Sequence, residues 1–90
     1  MPTISMFFGI IIRMYFYDTD KHHLPHLHAE YSGSEVVVAL ETFEVLDGSI
    51  PAGKMRLLLA WMEIHHDDLM ADWRLVCNGE PAFRVEPLKG

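Results

Sequence analysis

Six histidines stand in the chain, and four of them fall within His22–Tyr31, HHLPHLHAEY. In an extended segment side chains alternate, so after Pro25 the residues His26, His28 and Glu30 share one face while Leu27, Ala29 and Tyr31 share the other. That strip admits three kinds of chemistry. In the first, one imidazole removes a proton and the other returns one, as phosphodiester cleavage requires. Arg13 would then supply positive charge for the transition state. In the second, H-x-H-x-E presents His26, His28 and Glu30 to a divalent transition metal, with His22 or His65 as a further ligand. In the third, the histidines are hydrogen-bonded members of a polar surface, and Arg13 forms an ion pair with Glu30 or Glu41. An unpaired guanidinium among apolar strand residues would be costly. No cysteine pair or HExxH frame supports a metal, so spacing alone does not choose. His26, His28 and Arg13 are thus the candidate catalytic set, and His26, His28 and Glu30 the candidate metal set. The simplest expectation is no cofactor.

These residues must be positioned by strands. Ile10–Tyr17, IIIRMYFY, is β-branched and aromatic, which predicts a strand with Ile10, Ile12, Met14 and Phe16 on one face and Ile11, Arg13, Tyr15 and Tyr17 on the other. Gly9 predicts a bend after Ile4–Phe8. Asp18–Pro25 reads as a loop, His26–Tyr31 as the second strand, and Ser32-Gly33-Ser34 as a turn. Glu35–Glu41 is the third strand, and Val45–Leu46, after a reversal at Thr42-Phe43-Glu44, a short fourth. Connections this short make an antiparallel meander.

Ser49 and Pro51 suit a helix start. From Ala52 to Val76 apolar residues recur at Met55, Leu59, Met62, Leu69, Trp73 and Val76, interrupted at His66. This phase predicts one long helix, kinked at His65-His66-Asp67-Asp68, rather than a hairpin broken at Asp67. That His-Asp cluster reads as a solvated or kinked helix segment. The first half of the helix is apolar nearly all round, which calls for cover on more than one side: the sheet, and a second chain. Asn78-Gly79 stops the helix. Glu80–Leu88 then forms an extended tail whose Phe83 and Val85 suit a sheet edge or a partner. Trp61 and Trp73 read as core. The fold class is therefore α+β: three to four antiparallel strands, one long helix and a tail.

Composition sets the outer bounds. With 90 residues, half of them hydrophobic, and a net charge of −6, the chain makes one small domain, 1–90, with a real core. Its acidity disfavours direct nucleic-acid binding. Cys77 is the only cysteine, which excludes an internal disulfide, and it reads as buried and inert. The apolar run Met6–Ile12 lacks the flanks of a secretory signal, and nothing approaches the ~20 apolar residues of a membrane helix. The expectation is a cytoplasmic protein.

The segments PTISMFFGIIIRMY at Pro2–Tyr15, PHLHAEY at Pro25–Tyr31 and ETFEVLDGSIP at Glu41–Pro51, followed by a Trp-containing helix and EPL at Glu86–Leu88, together form a recognisable pattern. It resembles a family of short bacterial proteins classed as a domain of unknown function, over nearly the whole chain. Pro25, His26, His28, Ala29, Glu30 and Tyr31 match that family's recurring motif. The chain departs from it in the longer Asp18–Leu24 loop. The resemblance implies a partner, because such proteins are often encoded beside a second small protein in toxin–antitoxin-like pairs. The expected function is thus a non-catalytic interaction component, either a homodimer or a heteromer with a small protein encoded nearby. The alternative is a small hydrolase or nuclease using His26, His28 and Arg13, or a metal-binding protein.

Overall fold

The computed structural model describes residues 3–15 and 24–89. Phe16, Tyr17, His22 and His23 lie outside those residues, as does most of the Asp18–Pro25 loop. Five strands form one antiparallel sheet in chain order: β1 (Thr3–Phe7), β2 (Ile10–Arg13), β3 (His26–Tyr31), β4 (Ser34–Ala39) and β5 (Val45–Gly48). The expected three to four strands become five because Thr3–Phe7 folds back on β2. Turn chemistry explains the difference. Phe8 and Gly9 both take positive φ, 49° and 80°, and Phe7 pairs with Ile10. Two such residues make a hairpin turn whose twist matches its strands, where the sequence suggested only a bend. Ser32 and Gly33 (φ 50° and 86°) close Tyr31 onto Ser34 in the same way.

The expected single helix is also corrected. Two helices follow the sheet, α1 (Ala52–Ile64) and α2 (His66–Cys77), and they part at His65, two residues before Asp67. His65 has φ −109° and ψ 24°, yet its N–H bonds to the Trp61 carbonyl at 3.0 Å and its own carbonyl accepts from Leu69 N–H at 2.9 Å. The main-chain ladder therefore carries across the break. That is why Leu58, Met62, Leu69 and Val76 keep one apolar phase and read as one helix. Asp67 and Asp68 stand in the first turn of α2, where the helix dipole favours carboxylates. No helix among the described residues is long and apolar enough to cross a membrane.

One face of the sheet carries Phe7, Ile10, Ile12, Leu27, Ala29, Val36 and Val38, all buried with Leu58, Trp61, Met62, Leu69 and Trp73 in a single core. Trp61 and Trp73 are thus core residues. Residues 80–89 form neither helix nor strand. Three hydrogen bonds strap this tail down: Val85 N–H to the Ile4 carbonyl (2.8 Å), Trp61 Nε1–H to the Glu86 carbonyl (2.8 Å), and Phe83 N–H to Asp72 Oδ1 (3.0 Å). The second side of α1 is therefore covered in part by the chain's own tail. Ile64, 65% exposed, remains outside.

Candidate functional site

Strand alternation sends His26 and His28 away from Leu27 and Ala29, as the sequence suggested. The third reading, partly exposed and hydrogen-bonded surface histidines, is corrected as to exposure, because His26 is fully buried and His28 is 5% exposed. Burial demands partners for their polar atoms. The Nδ1 of His26 lies 2.7 Å from the Leu24 carbonyl oxygen. A carbonyl only accepts, so this nitrogen carries the proton and a neutral ring keeps its lone pair on Nε2. The ring also packs on Trp73 of α2, centroids 5.1 Å apart, and edge-on against His28 at 5.3 Å. Helix and strand together therefore fix its orientation.

His28 is met from two directions. Tyr15, just past the end of β2, stacks on it with centroids 4.4 Å apart and brings its hydroxyl to 3.2 Å from Nδ1. Glu35 on β4 places Oε1 3.5 Å from the same nitrogen. The register explains this approach: Glu30 pairs with Glu35 and His28 with Val37, which makes Glu35 the diagonal neighbour of His28. The Tyr15 hydroxyl and the Glu35 carboxylate thus approach the same ring nitrogen.

Arg13 lies directly opposite His28 in the β2–β3 register, so the candidate catalytic trio does gather on one face. Its guanidinium is 3.7 Å from Glu30 Oε1, the structural ion pair that the sequence offered as one alternative. Both groups are partly exposed, so the pair contributes roughly 0–1 kcal/mol. Glu30 is the third residue of the candidate metal set. Among the described residues no three His, Cys, Asp or Glu side chains gather as a group that could hold a metal ion. His22 lies outside the described residues. His65, the other proposed extra ligand, sits at the helix break with Nδ1 3.6 Å from Asp68 Oδ2. His65, His66, Asp67 and Asp68 border an open surface depression of about 390 Å³.

Three residues of this region were not singled out from sequence. Tyr15 falls two positions after Arg13 on its face, and Glu35 is set by the two-residue Ser32-Gly33 turn, so both had a signal. Asp72 had only its phase, three residues after Leu69 and next to Trp73. It is fully buried, and its Oδ2 has no hydrogen-bond partner. Burial pushes its carboxyl up to about 6; the Phe83 N–H opposes that and the Asp68 charge one turn earlier adds to it. Cys77, expected buried, is exposed at the end of α2.

Comparison with known proteins gives one result at the level of family. A family model described as a domain of unknown function (DUF4160) matches residues 9–74, from the first hairpin turn to the last turns of α2. No curated protein matches, and no solved structure does.

Proposed function

The chain belongs to the DUF4160 family of domains of unknown function, and from that premise we propose that it works by binding another protein and not by catalysis. The observation that carries this reading is the engagement of the candidate chemical groups. His26 is buried and donates to a main-chain carbonyl, His28 lies between Tyr15 and Glu35, and Arg13 faces Glu30. General acid–base work needs a group within reach of a substrate proton, and a fully buried ring offers little access. Meanwhile Met6, Phe8, Val45, Ile64 and Phe83 expose large apolar side chains on a domain of 90 residues. A partner seated on any of them would remove that apolar surface from water. The partner is a heterologous small protein, as in the toxin–antitoxin-like pairs implied by the family resemblance. A homodimer has less support, because the tail already covers part of the second side of α1.

One observation favours a second reading. Arg13 and His28 are direct cross-strand neighbours, and His26 is 5.3 Å from His28 between ring centroids, which is the grouping a phosphodiesterase would need. The test joins both readings in one preparation. The purified chain is assayed on RNA and on a model phosphodiester, with and without added zinc. It is also co-expressed with any small protein found encoded beside it. A stable complex without turnover supports binding. Turnover that disappears in His28→Ala supports the hydrolase, and a dependence on zinc would bring in the metal set His26, His28 and Glu30.

A further inference from the structure

The sheet has two edges, and the chain treats them differently. The β1 edge is met by the chain's own tail at one point, the Val85 N–H to Ile4 carbonyl hydrogen bond of 2.8 Å. The β5 edge has β4 on one side and no described strand on the other. Val45, 47% exposed, stands on it with Asp47 and Gly48 also exposed and Leu46 half-buried. An open edge is a row of main-chain donors and acceptors ready to accept another strand.

The charge around this edge identifies what it accepts. From Leu24 to Gly53 the sequence has no lysine or arginine; of its carboxylates Glu41, Glu44 and Asp47 lie on β5 or the turn into it, whereas Glu30 faces Arg13 and Glu35 faces His28. Glu41 and Glu44 are exposed on the turn that leads into β5. Two copies pairing along this edge would bring two acidic segments side by side, which like-charge repulsion opposes. A cationic strand meets the opposite situation. We propose that β5 is the docking edge for an extended, lysine- or arginine-bearing segment of the partner protein, added to the sheet as a sixth strand. This assignment rests on the reading that the protein works by binding. Main-chain hydrogen bonds supply the attachment, Val45 supplies an apolar contact, and the acidic rim selects for basic segments and against a second copy.

The probe is a short synthetic peptide alternating lysine with valine, compared with one in which glutamate replaces lysine. Binding is read by fluorescence anisotropy against the unmodified chain, Glu41→Lys/Glu44→Lys, and Glu80→Lys/Glu86→Lys. The last makes the same change in net charge on the tail. The lysine peptide should bind more tightly than the glutamate peptide by about tenfold or more, and the β5-rim variant should lose about tenfold while the tail variant loses less than about twofold. Hydrogen exchange on the unmodified chain should show the lysine peptide protecting amides within Val45–Gly48. This readout stands even where a variant folds poorly. Equal losses in the two variants would reduce the effect to general attraction and overturn the assignment. Protection elsewhere with none on β5 would overturn the edge assignment and leave the binding reading intact. No binding of either peptide overturns the edge assignment too, and failure of the co-expressed pair to form a complex separately removes the binding reading.

Discussion

Tyr15 stacks on His28 with ring planes 16° from parallel, and its hydroxyl lies 3.2 Å from His28 Nδ1. This contact, with the Trp73 cover over His26, turns an apparent surface strip into packed interior. His26→Ala would open a cavity beside Trp73 and remove the donor to Leu24, so it should cost about 2–4 kcal/mol. Leu27→Ala on the other face should cost a similar amount, about 2–5 kcal/mol. Urea midpoints of the two variants make the comparison. A His26→Ala variant within about 0.5 kcal/mol of the parent would place the ring at a tolerant surface position.

Asp72 gives a prediction in pH. Its carboxyl is raised to about 6, above the range of an unfolded aspartate. Between pH ~4 and ~6 the folded chain therefore binds more protons at this site than the unfolded chain, and stability from this group rises as pH falls through that window. Above it, the buried charge costs up to about 3 kcal/mol. Asp72→Asn keeps an acceptor for Phe83 N–H and removes the titration. The stability of the parent minus that of Asp72→Asn should therefore increase on acidification from pH 7 to 4, as followed by denaturant melts. A difference that is flat over this range would show that the carboxyl titrates normally.

The tail is a structural strap, and its removal should show in Trp61. Trp61 is fully buried and donates to the Glu86 carbonyl. Trp61→Phe loses that hydrogen bond, at about 1 kcal/mol. Truncation after Gly79 also uncovers the β1 edge and should lower the melting temperature further while moving tryptophan emission to longer wavelength. Unchanged emission after truncation would mean that the tail does not cover the ring.

The strands were legible because the β-branched runs at Ile10–Ile12 and Val36–Val38 favour extended chain, and the short connections leave only antiparallel pairing. The first strand was harder to read. Phe8 takes φ 49° ahead of Gly9, and a phenylalanine in that conformation carries no local signal. The break at His65 was hidden for a different reason: hydrogen bonds on both sides of it preserve the apolar phase, and periodicity is what a sequence shows. Alternation correctly put His26 and His28 on the face opposite Leu27. It could not show that Tyr15, Trp73 and Glu35 close over that face, since those contacts come from residues 13 positions earlier, 47 later and 7 later in the chain. Arg13–Glu30 was legible as a neighbouring-strand pair once β2 and β3 were placed side by side.

Binding without catalysis is tested most directly by the mass of the particle the chain forms. The chain alone has a mass of 10.4 kDa. Size-exclusion chromatography with light scattering is run on the chain alone and on the chain co-expressed with any small protein found encoded beside it. A docking edge that repels its own copy requires the monomer mass in the first case and the summed mass of both proteins in the second. A monomer mass in both, at concentrations well above micromolar, would contradict the binding reading and return His26, His28 and Arg13 to first place.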